Sequence, residues 1–103
     1  MIKVSVLYPN KEGSKFDLGY YLNTHIPMVQ KKLGAALKGG NVDHGISGFE
    51  PGSRPKFVAM VHLLFDSVEA FQTSFAPHAE SIMADMPNYT DIQPVIQVSE
   101  VKS

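Results

Sequence analysis

The sequence predicts an α+β fold in which two helices cover one face of a four-stranded antiparallel sheet. Three observations predict it. Both ends of the chain alternate apolar and polar residues, two segments repeat apolar residues at helical spacing, and residues 57–65 are apolar on both faces of a strand. A chain of 103 residues is long enough for one such domain with a single core.

The first strand is predicted over residues 2–8. Ile2, Val4 and Val6 alternate with more polar positions, which is the period of a strand with one buried face. The proline and asparagine that follow Tyr8 break this pattern. The strand is therefore expected to end near Tyr8.

The first helix is predicted to begin at Ser14, which forms a loose capping box with Asp17, and to end at Gly34. Pro27 lies inside it, lacks a backbone N–H and crowds the carbonyl four residues earlier, at a cost of about 3 kcal/mol. A helix that keeps such a proline usually bends there. We expect the bend to move His25 towards the surface beneath the helix. The predicted apolar stripe is Leu18, Leu22, Ile26, Val29 and Leu33.

The middle of the chain predicts two strands, of which the first has a much weaker strand pattern than the second. The pair Gly39-Gly40 indicates a turn, and residues 41–49 form a marginal edge strand that two further glycines weaken. Residues 51–55 (PGSRP) are a loop. Residues 57–65 then predict a strand covered on both sides.

The second helix is predicted to be capped by Asp66, with Glu69 three residues later, and to continue past Pro77. Residues 87–91 end it, and residues 92–101 predict the last strand. Pro94 cannot donate to a ladder of hydrogen bonds, so this strand is expected at an edge. The order β-α-β-β-α-β is the split βαβ arrangement of ferredoxin-like folds.

Two helices cover only one face of such a sheet, whereas the strand at 57–65 is apolar on both. In a monomer Val58, Met60 and Leu64 would form an exposed apolar patch of a kind that soluble monomers rarely keep. A second copy packed sheet against sheet would bury this patch and protect the weak edges. We therefore predict a homodimer whose two sheets enclose a cavity.

The composition excludes several classes of function. Nine basic residues stand against ten acidic ones, so no net field attracts nucleic acid or an anionic membrane. The apolar runs are far shorter than the roughly 20 residues of a spanning helix, and the sequence starts without a secretion signal. Cysteine is absent, which excludes disulfides and cysteine-ligated zinc and fits a reducing compartment. We predict a cytoplasmic protein with no nucleic-acid or membrane partner.

The predicted cavity takes its chemistry from histidine and tyrosine. The sequence contains no phosphate-binding glycine loop, no local metal-ligand spacing and no paired-carboxylate motif, so no cofactor and no metal are expected. On the second sheet face, an apolar lining with a few hydrogen-bonding groups is typical of a small-molecule site. The expected lining is Ser5, Leu7, Met60, His62, Val95 and Gln97.

His25 is the first catalytic candidate, because an imidazole with a pKa near neutrality accepts a proton from an enol, a phenol or an activated carbon and returns it. The alternative is a helix histidine that caps the carbonyl freed by Pro27. His62 is the second candidate, and its alternative is a core histidine bonded to a neighbour. His44 and His78 are predicted to be surface residues.

Tyrosines and methionines supply the remaining candidates. Tyr89 is predicted to hold a substrate oxygen, although each tyrosine also suits a packing role with its hydroxyl at the rim. The methionines equally suit adaptable core filling. The predicted substrate-binding residues are Tyr8, Tyr21, Met28, Met60 and Gln97.

Three segments together resemble the EthD family, named for ethyl tert-butyl ether degradation. They are residues 20–29 (YYLNTHIPMV), residues 87–91 (PNYTD) and residues 93–99 (QPVIQVS), and the similarity extends over essentially the whole chain. The resemblance implies a ferredoxin-like domain, residues 1–103, that forms a dimeric α+β barrel. The motif histidine corresponds to His25 and the tyrosine of the later segment to Tyr89.

The resemblance implies two classes of function. The founding member is similar to an accessory protein encoded beside a cytochrome P450 system, and wider relatives include cofactor-independent monooxygenases, polyketide cyclases, decarboxylases and carriers. One hypothesis is therefore an enzyme of the oxygenase, cyclase or decarboxylase type that acts on a small hydrophobic or aromatic metabolite. The other is a carrier or accessory protein that binds such a molecule unchanged. Apart from the resemblance, a purely structural or adaptor role is a third hypothesis, which a barrel filled by side chains would favour.

Overall fold

A computed structural model describes residues 1–103 and contains a four-stranded sheet in the order β2-β3-β1-β4, with every neighbouring pair antiparallel. The strands are β1 (Ile2–Pro9), β2 (Gly39–His44), β3 (Phe57–Phe65) and β4 (Val95–Glu100). The helices lie on one face of this sheet. The predicted ferredoxin-like α+β fold is confirmed, and the second and fourth strands are edges as expected.

Each predicted helix is divided near its proline. The first consists of α1 (Leu18–Tyr20), a π-helical turn (Tyr21–His25) and α2 (Ile26–Leu33). The second consists of α3 (Val68–Phe75), a 3₁₀ turn (Ala76–His78) and α4 (Ala79–Ala84), and further 3₁₀ turns occupy Gly34–Ala36 and Met86–Asn88. None of the helices has the length and apolar character needed to cross a bilayer.

The π-helical turn accommodates Pro27. The N–H of Ile26 bonds to the carbonyl of Tyr21, five residues earlier, so the helix widens directly before the residue that has no N–H to donate. The widened turn also changes the buried face. Leu22, which the predicted stripe placed inside, is 43% exposed, whereas Tyr21 and His25 are buried.

Both predicted helix caps are displaced. Asp17 rather than Ser14 caps α1, because its Oδ1 accepts the N–H of Tyr20 at 3.0 Å, while the Ser14 hydroxyl donates to a loop carbonyl. Ser67 rather than Asp66 caps α3, and its Oγ accepts the N–H three residues later at 3.0 Å. In each case the cap is the extended residue directly before the first helical turn.

Gly39 and Gly40 begin β2 and do not form the predicted turn. Their φ angles are +156° and +149°, and the strand ends at His44 instead of continuing to residue 49. A Cβ on Gly40 would lie 2.1 Å from the carbonyl oxygen of His62. Glycine is therefore required here so that β2 can approach β3 closely.

Gly40→Ala is expected to lower the free energy of unfolding by more than about 1 kcal/mol, because the strand backbone must move away from β3. Gly19→Ala in α1 is the matched control. A Cβ at Gly19 meets only the Asp17 carboxylate at an ordinary 3.5 Å, so this change should be neutral or slightly stabilising. Urea unfolding compares the two, and equal effects would contradict this account of Gly40.

The core lies between the sheet and the helices in two clusters. One is aliphatic apart from a single phenylalanine and occupies the end of the sheet where β1 begins; its buried members are Ile2, Val4, Val29, Leu33, Phe65 and Ile82. The other lies where β1 ends and is rich in tyrosine; its buried members are Tyr8, Tyr21, Ala59, Tyr89 and Ile92. The chain therefore concentrates its buried phenols at one end of the domain.

No helix covers the outer face of the sheet. Leu7, Val58, Met60 and Leu64 are only half-buried there, and Val95 on the edge strand is 52% exposed. The two-faced apolar character predicted for residues 57–65 is thus present, with only one of its faces covered within the chain.

Candidate functional site

A cavity of about 230 Å³ lies between the helix-facing side of the sheet and the helices. Its walls come from β1, β3, β4 and the helical segments, and 15 of its 17 lining residues are hydrophobic. The cavity therefore suits an apolar molecule. The polar atoms that interrupt the lining belong to His25, Tyr8, Tyr21 and Tyr89.

This cavity is on the opposite side of the sheet from the predicted one. The expected lining residues Ser5, Leu7, Met60, His62, Val95 and Gln97 all occupy the outer face and none contacts the cavity. The reason is the alternation of strand side chains: the outward positions of β1 and β3 point away from the helices. The sequence predicted a cavity on the face of the sheet that no helix covers, whereas the structure has it on the other face, between the sheet and the helices.

The π-helical turn places His25 in the cavity wall, where it is only 5% exposed. Its Nδ1 lies 2.9 Å from Oδ2 of Asp85, which directly follows α4. A carboxylate only accepts hydrogen bonds, so Nδ1 donates and Nε2 carries the free lone pair. Nε2 has no protein partner and is not sealed from solvent. The imidazole is therefore arranged to accept a proton at Nε2.

Asp85 is held as a carboxylate by three donors. Burial raises the pKa of Asp85, but hydrogen bonds from Tyr20, Asn88 and His25 outweigh burial, and the pKa falls below its ordinary value. The Tyr20 hydroxyl donates to Oδ1 at 2.7 Å and the Asn88 amide donates to the same oxygen at 2.9 Å. The ionised Asp85 therefore fixes the orientation and the tautomer of His25.

Tyr8 and Tyr89 form the second polar feature of the cavity, with their hydroxyl oxygens 2.9 Å apart. The ring of Tyr89 lies 4.6 Å from that of His25, and Tyr21 stacks on His25 at 5.4 Å. Burial raises the pKa of Tyr8, Tyr21 and Tyr89 above the ordinary phenol value. All three phenols are therefore protonated at neutral pH and able to donate hydrogen bonds.

Stability is expected to fall as the pH rises above about 10, the ordinary tyrosine pKa. In this pH range the folded state keeps these phenols protonated, whereas the unfolded state ionises them. The folded state therefore binds more protons than the unfolded state, and raising the pH lowers the free energy of unfolding. Denaturant unfolding measured across this range checks the direction. Tyr89→Phe should make the decline shallower, and an unchanged slope would contradict the assignment.

The structure brings four of the predicted site residues together: His25, Tyr89, Tyr8 and Tyr21. Met28 packs instead against the first core cluster, and Met60 and Gln97 lie on the outer face. His62 is also on that face. Its Nδ1 forms a hydrogen bond of 2.8 Å with the Ser5 hydroxyl, as a histidine bonded to a neighbour would, and its Nε2 lies 3.8 Å from the Asp43 carboxylate.

Sequence reasoning missed Asp85. It is one carboxylate at a helix end, 60 residues from His25 in the chain, and no local motif joins the two. No three histidine or carboxylate side chains come together to form a metal site. The cavity therefore offers the chemistry of one imidazole, its carboxylate partner and a pair of phenols.

Fold and site together define a class: single-domain ferredoxin-like α+β proteins with an apolar cavity between sheet and helices and a buried histidine in its wall. The EthD domain model matches residues 14–93. The chain therefore belongs to the EthD family.

Three solved structures are similar to this chain. An EthD-like protein from Ralstonia eutropha JMP134 is 45% identical, with a TM-score of 0.92 over 96% of this chain and 89% of that one. An ethyl tert-butyl ether degradation family protein from Bacillus halodurans C-125 is 22% identical, with a TM-score of 0.68 over 99% of both chains. A protein from Arabidopsis thaliana is 16% identical, with a TM-score of 0.70 over 100% of this chain and 97% of that one. The last two share the fold alone. No curated protein matches the sequence significantly.

Proposed function

We propose that the protein binds a small hydrophobic or aromatic metabolite in the cavity and moves a proton on it, with His25 as the base. The observation that carries this proposal is the His25–Asp85 pair, whose imidazole lines a largely apolar cavity and has no protein partner at Nε2. Cavities of about 150 Å³ in other proteins hold benzene. A cavity of about 230 Å³ therefore has room for one substituted ring.

The proton transfer is a simple general-base step. Nε2 of His25 takes a proton from a carbon next to a carbonyl, and the electron pair of the C–H bond moves to the carbonyl oxygen to form an enolate. A phenol of the Tyr8–Tyr89 pair donates a hydrogen bond to that oxygen, and ionised Asp85 stabilises the imidazolium. Cofactor-independent oxygenation, cyclisation and decarboxylation all pass through such carbanions or enolates.

Deuterium exchange tests this proposal without knowledge of the natural substrate. Acetophenone is a compact aryl ketone with exchangeable methyl protons, and proton NMR in heavy water follows their loss. We expect saturable binding by calorimetry and exchange that is faster than in buffer alone. Saturable binding without any exchange would reject the catalytic proposal in favour of a carrier.

A carrier is the second candidate, and one observation favours it. The Tyr8 and Tyr89 hydroxyls bond to each other, and 15 of the 17 lining residues are hydrophobic, so most of the cavity wall offers a ligand only apolar contact. In this role the protein would deliver a hydrophobic molecule unchanged, for example to a cytochrome P450-type degradation system. Mass spectrometry of incubated ligands separates the candidates, because a carrier returns its ligand unaltered.

We also propose that the protein is a cytoplasmic homodimer that packs through the uncovered outer face of the sheet. The apolar side chains there, together with 52% exposed Val95, support this packing. Met60→Glu is expected to convert the dimer to a monomer, because the charge would be buried at the interface. Sedimentation velocity at micromolar concentration measures the change. Gln72→Glu, at an exposed position of α3, is the control and should leave the dimer intact. A monomeric wild type would refute the proposal.

A further inference from the structure

A second space lies directly beside the cavity of His25. This groove of about 460 Å³ lies between α2, the turn that follows it and the edge strand β2. Four residues, Ile26, Val29, Val61 and Leu63, line both the groove and the cavity. The groove and the cavity therefore share part of their walls.

The groove differs chemically from the cavity. Gln30, Lys38 and Asn41 contribute polar side chains to it, and Lys38 is its only charged residue. The Lys38 ammonium lies 3.9 Å from Asp66 in a pair whose side chains are 42% and 65% exposed. Exposed pairs of this length hold their partners weakly. Lys38 is thus free to bind another anion.

We propose that the groove and the cavity together bind one amphipathic acid, with an apolar ring in the cavity and a flexible chain that ends in a carboxylate at Lys38. This inference deepens the proposed function, since the ring would occupy the cavity beside His25. The groove follows α2 from Ile26 to Gly34, which is about 12 Å at 1.5 Å per residue. To leave the ring next to Nε2, such a chain would cross the wall that the two spaces share, between the side chains of Ile26 and Leu63.

The test compares three phenols by calorimetry: para-cresol, para-nonylphenol, and nonanoic acid bearing a para-hydroxyphenyl group at its far end. The first is the ring alone, the second adds the apolar chain, and the third adds the terminal carboxylate. We expect the second to bind at least tenfold more tightly than the first, because the chain buries further methylene groups. The carboxylate of the third should raise its affinity about fivefold beyond the contribution of the chain, which is the size of effect that a partly exposed ion pair gives.

Three variants identify the groove as the place where the chain binds. Lys38→Gln should remove the advantage of the carboxylate and leave para-cresol unaffected. Lys31→Gln is the matched control, because Lys31 is exposed on the same helix and does not line the groove. Gln30→Trp should fill the groove and reduce binding of both long phenols by at least tenfold, again without changing para-cresol.

The outcomes separate this inference from the proposed function. If para-cresol binds but the long acid gains nothing, or if Lys38→Gln and Lys31→Gln behave alike, the groove has no such role and the proposed function stands. If none of the three phenols binds, both proposals are wrong.

Discussion

Replacing His25 by glutamine is expected to slow proton exchange on bound acetophenone by at least about 100-fold, the usual contribution of a general base. Glutamine is similar in size and keeps a donor towards Asp85, but it has no basic nitrogen. The cavity should therefore still bind the ketone, since its walls are otherwise unchanged. Proton NMR measures the exchange rate, and calorimetry confirms that the affinity changes little.

His44→Gln is the control for this prediction, because His44 is exposed at the end of β2 and lies outside the cavity. It should exchange acetophenone at the wild-type rate. Asp85→Asn should cause a smaller loss than His25→Gln, since the basic nitrogen remains but the imidazole loses the carboxylate that fixes its orientation and tautomer. Wild-type exchange in His25→Gln would remove His25 from the mechanism.

Replacing Tyr89 by alanine is expected to lower the free energy of unfolding by about 3–5 kcal/mol, as for other buried aromatic residues. Tyr89 is 1% exposed, and its ring lies within 5.5 Å of those of Phe16, Tyr21 and His25. Truncation would leave a hole next to the cavity and remove the partner of the Tyr8 hydroxyl. Urea unfolding followed by circular dichroism measures the effect.

Tyr89→Phe separates packing from hydrogen bonding at this position. The ring remains, while the Tyr8 hydroxyl loses its 2.9 Å partner, so the cost should be about 1–3 kcal/mol. Tyr20 is only half-buried and contacts Asp85 from the rim, so Tyr20→Phe should cost less still. Equal losses for the alanine and phenylalanine variants of Tyr89 would show that its ring adds nothing to the core.

Much of the fold is predictable from periodicity. The alternation in residues 2–8 and the two-faced apolar segment at 57–65 both correspond to strands, and the last strand is an edge as predicted, although it begins at Val95 and leaves Pro94 outside. Residue composition was a poorer guide to secondary structure where contacts between strands determine it. Gly39 and Gly40 indicate a turn by composition but form a strand, because the glycines let that strand lie close against β3.

The site is less predictable than the fold. His25, Tyr89, Tyr8 and Tyr21 were recognisable because they are polar residues within apolar patterns. Asp85 was not, because its role depends on α4 ending beside the first helix. The location of the cavity was also inaccessible, since a strand pattern identifies two faces but not how closely the helices pack against one of them.

The buried residues of the first helix, Tyr21, His25, Val29 and Leu33, recur at every fourth position. A regular α-helix has 3.6 residues per turn, so each such step would rotate the inward side by about 40°, and three steps by about 120°. The wider turn at Tyr21–His25 offsets part of this rotation. A relative with one residue fewer in that turn would therefore expose either its imidazole or the aliphatic side chains at the positions of Val29 and Leu33. The length of this segment is thus a criterion for recognising which homologues retain the buried base.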